Sequence, residues 1–380
     1  MSLSLFLAAA LSFAPPPDDA STRVYIGTYT DGGKSKGIYT FELDPKTGAV
    51  SSPRLAAESP NPSFLAPHPN GKSLYAANEV DQFRGRPGGS VTGFAIDAAD
   101  GRLSTLNASA TRGEAPCHLS IDRAGRTVLV ANYGGGNLAA IPIGADGRFD
   151  ESKATDFHKL QGQGPNRQRQ EKPHAHWIDL DAADRFAIAA DLGTDSLWVF
   201  RFDPKKGTLT PNDPPAARVA PGSGPRHFAF HPDGRHGFVN NEMASTVTAF
   251  DYDPEKGTLK TLQTLSTLPD GFQGESSTAE IAVHPNGRFL YVSNRGHDSL
   301  AIFAIDKESG KLKAIGHTKT GGRTLRNFAI DPTGRWLLAA NQDSDSVVVF
   351  TLDPDTGRLT PTPHKAEVPK PVCVVFLPRK

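Results

Sequence analysis

Short apolar runs alternate along the chain with turn-forming residues, and no stretch keeps the 3.6-residue spacing of an amphipathic helix. The pattern repeats. The segment HFAFHPDGRHGFVNNEMASTVTAFDYDPEKGTL, which starts at His227, returns as EIAVHPNGRFLYVSNRGHDSLAIFAIDKESGKL from Glu280 and as NFAIDPTGRWLLAANQDSDSVVVFTLDPDTGRL from Asn327. Earlier copies begin at Phe64, His118 and His176. The period is roughly 50 residues, a spacing typical of propeller blades.

Each copy predicts four strands. A short apolar strand runs into a His/Asp-Pro-x-Gly turn. A second strand, rich in β-branched and aromatic residues, ends in Asn or Asp. A polar turn leads to a third strand such as VTAF, LAIF or VVVF, and D-P-x-x-G-x-L turns the chain into a fourth. The ends complete the count. Residues 24–50 have the later strands of a unit but no opening strand, whereas PKPVCVVFLP near the C-terminus is an opening strand with nothing after it. The expected fold is all-β: a seven-bladed β-propeller over residues 21–380, closed by a C-terminal strand that completes the first blade and leaves no open edge.

In such a ring the opening strands line a central channel. Their first positions form one column: Phe64, His118, His176, His227, Glu280 and Asn327. The residues after the second-strand Asn or Asp form another: Glu79, Tyr133, Leu192, Glu242, Arg295 and Gln342. Both columns are expected near one face of the disc, where charged groups from several blades converge. Within PHAHW, His174 and His176 are two apart on an extended strand, so both side chains should share a side. The polar segment 161–172 before them should lie over the channel mouth. Three readings of the pair stand: a metal site lacking its further ligands, a polar channel wall, or a substrate-facing acid/base pair.

Lys and Arg number 41 and Asp and Glu number 41, which argues against a nucleic-acid groove or an anionic-membrane surface. A monomer acting on a small molecule is expected. Two cysteines, Cys117 and Cys373, make neither a disulfide framework nor a zinc site, and read as small buried hydrophobes. The opening MSLSLFLAAALSFA is too short to span a bilayer and ends in small residues, so residues 1–20 are expected to be a signal peptide and tail. The protein is then periplasmic or secreted, with the cytoplasm as the alternative. GKSKG at 33–37 mimics a nucleophile elbow, but it falls in a hairpin and not between a strand and a helix. YGGGN at 133–137 reads as a turn, and the D-P-x-x-G runs read as outer hairpins.

IGTYT, GPNRQRQEKPHAHW, GPRHFAFHP, NNE, STAEIAVHPNGRFLYVSNRGHDS and RNFAIDPTGRWLLAANQDSDSV together resemble the seven-bladed lactonase propellers. That family includes propeller-type 6-phosphogluconolactonases and carboxy-cis,cis-muconate cyclases. The resemblance implies lactone hydrolysis without cofactor or metal, at a site of one histidine, two arginines and a glutamate. By position these are His174 or His176, Arg226, Arg295 and Glu242. Water would attack the lactone directly, with Glu242 or a neutral histidine as base and the arginines on the oxyanion or on a substrate anion. Two arginines flanking Glu242 should depress its pKa, which favours histidine as the base and predicts a limb near neutrality in the pH profile. Export would favour an unphosphorylated sugar lactone. The alternatives are a carboxymuconate-type lactonising cycloisomerase and a non-catalytic binding propeller.

Overall fold

The computed structural model describes residues 21–378. Seven four-stranded antiparallel sheets form the disc, and we number them as blades 1 to 7. Blade 1 is the composite. Its innermost strand is Pro371–Pro378, followed outward by Thr22–Thr28, Gly37–Leu43 and Arg54–Glu58. Val24 pairs with Phe376 and Ile26 with Val374, so the terminal strand closes the ring as the sequence pattern predicts. The expected leader, residues 1–20, lies outside the described residues.

Blades 2 to 7 begin with the inner strands Pro62–Pro67, Pro116–Ile121, Ala175–Leu180, Pro225–Phe230, Ser277–Val283 and Leu325–Ile330. Each next strand runs outward from the channel and is buried on both sides, as in Thr127–Asn132 and Trp336–Asn341. The apolar clusters lie between blades. Val24 and Phe41 of blade 1 pack with Leu338 and Val347 of blade 7, so the closure strand seals a continuous core. Each such side chain contributes about 1.5–3 kcal/mol on burial. A second hairpin in blade 2, Gln82–Phe83 with Arg86–Pro87, was not evident from the sequence pattern.

The D-P-x-x-G hairpins have structural roles. Asp44, Asp203 and Asp253 each accept hydrogen bonds from backbone N–H groups two and three residues ahead. Hairpin glycines also receive ties from the preceding blade. Tyr25, Tyr75 and Tyr291 donate their hydroxyls to the carbonyls of Gly101, Gly147 and Gly357 at 2.9, 2.6 and 2.8 Å.

Candidate functional site

One backbone irregularity recurs around the ring and builds the mouth. At the start of each inner strand the pairing register slips, leaving Ser63, Cys117, His176, Arg226, Arg326 and Val372 as bulge residues in blades 2, 3, 4, 5, 7 and 1. Blade 6 also slips by one, with Ala279 and Glu280 standing opposite Ser293. A β-bulge re-aims a side chain that regular alternation would send elsewhere. Ser63, Cys117, Arg226, Arg326 and Val372 accordingly line one small cavity at the mouth, with Glu79.

The expected opening column is therefore one residue out of register in blade 4. His176 aligns with Cys117 and Arg226, while Trp177 holds the position of His118 and His227. Likewise, His174 and His176 are not an equivalent pair on one strand. The strand begins at Ala175, so His174 precedes it, and His176 is itself the bulge residue.

Glu242, Arg226 and Arg295 do come together. Glu242 Oε2 accepts from Arg226 Nε at 3.1 Å and lies 3.1 Å from Arg295 Nη2, while Oε1 accepts from Arg169 Nη2 at 2.7 Å. Burial raises the Glu242 pKa, but Arg295, Arg226 and Arg169 outweigh it and hold the group at about 2. Burial, with Arg295 and Arg326 close by, pulls Arg226 down to about 10.

Arg169 was not among the expected site residues. It comes from segment 161–172, which does lie over the mouth and also reaches the Tyr133 hydroxyl, 3.3 Å away. Gln170 anchors that segment through Leu192 O and Asp195 Oδ1 at 2.9 and 2.8 Å. The segment packs so closely that a Cβ on Gly193 would collide with the Lys172 carbonyl.

The two histidines differ in surroundings. His174 stacks on Tyr133, places Nδ1 3.0 Å from the Tyr133 carbonyl and Nε2 3.1 Å from Glu171. His176 is buried, with Nδ1 3.7 Å from Cys117 Sγ and its ring 5.1 Å from that of His227. Burial, then Arg226 and His227, push the His176 pKa well below its usual value. The ring is neutral at neutral pH, so the expected limb near neutrality moves into the acid range.

Below the mouth a chain of hydrogen bonds crosses the channel. Val374 N in the closure strand donates to Asn327 Oδ1 at 2.9 Å, and Asn327 Nδ2 donates to Glu280 Oε2. Glu280 Oε1 lies 2.9 Å from His227 Nδ1, and His227 Nε2 lies 3.2 Å from Arg226 Nη1. Because arginine only donates, His227 Nε2 must accept, and its proton sits on Nδ1, facing Glu280. Burial pushes Glu280 up to about 7, against the pull of the Ile281 N–H, Arg226 and Asn327. The ring closure is thus wired to the orientation of Arg226.

On the other side of the mouth, Arg326 donates from Nη2 to the Tyr29 hydroxyl at 2.6 Å, and Tyr29 donates to Glu79 Oε2 at 2.9 Å. Arg326 was missed because the column was read at Asn327. One residue upstream, the same repeat carries Arg226 and Arg326. Of the second column, Glu79, Tyr133, Glu242 and Arg295 take part in these mouth contacts. Leu192 is core, and Gln342 sits in a 3-10 turn.

Ser35 of GKSKG lies in the first hairpin loop, 2.6 Å from Thr28 Oγ1. Residues 133–136 of YGGGN turn between two strands of blade 3. Among the described residues, His231, Asp233 and His236 bring potential metal-ligating atoms together at the opposite end of blade 5. However, His231 Nε2 is already spent on Gly287 O at 2.7 Å, and its Nδ1 accepts from Asp233 N at 3.1 Å. Cys117 and Cys373 are both free and buried.

A family model described as "Lactonase, 7-bladed beta-propeller" matches residues 23–376. A 6-phosphogluconolactonase of Bacillus subtilis is 40% identical over 353 residues, covering 93% of this chain and 97% of that protein. A 6-phosphogluconolactonase of Formosa agariphila is 34% identical over 308 residues, covering 80% and 85%. The solved structure of a periplasmic gluconolactonase from Pseudomonas aeruginosa superposes with a TM-score of 0.88 at 33% identity, over 94% of this chain and 99% of that one.

Proposed function

This chain belongs to the lactonase family of seven-bladed β-propellers, and from that membership we propose that it hydrolyses an anionic sugar lactone by attack of water at the channel mouth. The observation that supports the site is a carboxylate held by three arginines, Glu242 with Arg169, Arg226 and Arg295, close to a neutral buried histidine. A carboxylate with a pKa of about 2 is too weak a base near neutrality. Its role is to order the guanidinium groups.

His176 is the base. In the tautomer that carries its proton on Nδ1, 3.7 Å from Cys117 Sγ, Nε2 holds the lone pair that takes a proton from water. The new C–O bond forms as the carbonyl becomes an oxyanion, which Arg226 and Arg295 stabilise. Collapse breaks the ring C–O bond, and the departing alkoxide takes the proton back from His176. The products are the open hydroxy acid and a regenerated neutral ring. His174, spent on the Tyr133 carbonyl and Glu171, supports Tyr133 from behind.

Four guanidinium groups, on Arg169, Arg226, Arg295 and Arg326, face two mouth carboxylates, Glu242 and Glu79. That excess favours a substrate carrying negative charge. The test is a lactone panel read with a pH indicator: glucono-1,5-lactone, its 6-phosphate and a muconolactone. Turnover of a sugar lactone that is abolished in His176→Gln supports the reading. Turnover of the muconolactone alone would move the chain to the cycloisomerase class, and turnover of none would leave a binding propeller.

We also propose export, on the apolar leader and the likeness to the periplasmic Pseudomonas protein. Mass spectrometry of the native protein should find it starting after Ala14. An intact Met1 or Ser2 would refute export.

A further inference from the structure

The mouth contains two kinds of arginine. Arg226 and Arg295 are ion-paired with Glu242, which they share with Arg169. Arg326 is half-buried, as Arg295 is, yet among the described residues no carboxylate lies in ion-pair contact with it. Its one hydrogen bond goes to the uncharged Tyr29 hydroxyl, over whose ring the guanidinium sits at 5.1 Å. Glu79 is reached only through that hydroxyl. A half-buried guanidinium with no carboxylate partner adds little to the fold, so a single hydrogen bond to a hydroxyl is a poor structural reason to keep it.

A second observation lies in the same cavity. Ser63, on the bulge of blade 2, is 4% exposed, and among the described residues its Oγ has no hydrogen-bond partner. Arg326 and Ser63 thus present a cationic fork and an unused hydroxyl to one space. An oxyanion is the ligand that satisfies both, since its oxygens accept from guanidinium and hydroxyl together.

We propose that Arg326 and Ser63 form an anion subsite that grips a phosphate or carboxylate carried by the substrate away from its lactone carbonyl. This rests on the lactonase reading and divides the arginines by task. Those locked to Glu242 serve the reacting carbonyl, and the unlocked one selects the substrate. Tyr29, buttressed by Glu79, positions the fork.

The experiment compares the parent protein, Arg326→Gln and Ser63→Ala on glucono-1,5-lactone, its 6-phosphate and a glucaric acid lactone. The last two separate phosphate from carboxylate as the gripped group. The ratio of kcat/KM for the preferred anionic lactone over the neutral one should fall about ten- to a hundredfold in Arg326→Gln, as expected for a lost charge-assisted contact. It should fall several-fold in Ser63→Ala. The melting temperature of Arg326→Gln should stay close to that of the parent, because no ion pair with a carboxylate is lost.

Equal loss on all three lactones, or a melting temperature several degrees lower, would make Arg326 structural and overturn the subsite. If Arg326→Gln does not fold, the Ser63→Ala ratio decides. If no lactone is turned over, the lactonase reading fails, and titration with inorganic phosphate then decides the subsite. Heat of binding to the parent that is lost in Arg326→Gln upholds it. Equal binding, or none, refutes it.

Discussion

Histidines behave differently at the two ends of the channel. On the face away from the mouth, His68, His231 and His284 stand at one repeat position. Each sets Nε2 against the carbonyl of a glycine in the next blade, Gly125, Gly287 and Gly334, at 2.9, 2.7 and 2.9 Å. Each Nδ1 accepts a backbone N–H two residues on, at 3.1 Å. Those glycines have φ of 68°, 72° and 74°, the left-handed turn that brings their carbonyls within reach. At the mouth end, His118, His176 and His227 make three different sets of contacts, and burial pushes all three well below the usual histidine pKa. A residue that the repeat copies, partner included, serves the ring. A residue whose partners the repeat does not copy is free to serve chemistry.

The sharpest way to break this contrast is at Glu242. Glu242→Gln leaves Arg169, Arg226 and Arg295 facing one another with no counter-charge. Removing one partner of a buried ion-pair network should cost roughly 3–5 kcal/mol in denaturant unfolding. Lactone turnover should fall by about two or more orders of magnitude as the oxyanion donors lose their geometry. The acid limb of stability carries the same signature. Glu242 drops from 4.5 unfolded to about 2 folded, so its contribution is complete above pH 4.5 and is lost as pH falls toward 2. That contribution is about 3 kcal/mol. Parent and variant should therefore converge in stability as pH falls through that window, and curves that stay parallel would count against the arginine lock.

Next in size is the split between the two histidines of PHAHW. His176→Gln should lower kcat about a hundred- to ten-thousandfold, the usual worth of a general base. His174→Gln removes side-chain contacts to the Tyr133 carbonyl and to Glu171 that touch no reacting atom, and it should stay within roughly tenfold of the parent. The parent's rate should be flat through neutrality and decline only in acid, since His176 accepts its proton well below 6.5. A limb near pH 6.5, or equal losses in the two variants, would remove His176 as the base.

The blades were legible because four-strand units repeat their turn residues, and the closure because the two chain ends carry complementary fragments. Glu242, Arg226 and Arg295 were legible through the family motif, and two of the second-column picks, Glu242 and Arg295, also through repeat position. Arg326 was not, because counting from the first regular strand residue skips the bulge before it. A bulge adds one residue without changing the apolar pattern on either side, so His176 was likewise matched to His118 instead of Cys117. Arg169 lies in a polar segment with no counterpart in other blades, and only the anchoring of Gln170 fixes where it points. The choice between His174 and His176 depends on Tyr133 and Glu171, contacts that strand periodicity does not encode.

The smallest effects belong to the far face, where the repeat predicts uniformity. His231→Ala removes a buried Nε2–H donor to Gly287 and leaves the Asp233 N–H without its acceptor. Each lost hydrogen bond of this kind costs about 0.5–1.5 kcal/mol, so denaturant unfolding should show a loss of about 1–3 kcal/mol. His284→Ala should lose a similar amount, because Gly334 O and Asn286 N stand in the same two places. The two sites are joined through Gly287, whose carbonyl faces His231 Nε2 and whose N–H donates to His284 O, so the loss in the double variant should depart from the sum of the single losses. Lactone turnover per folded molecule should stay at the parent value, since neither ring reaches the mouth. Nitrogen NMR should find both rings protonated at Nε2, the one tautomer that gives to a carbonyl and takes from an N–H. A far-face variant that loses turnover while keeping its stability would mean that the ring transmits to the mouth, and the division between copied and uncopied histidines would fail.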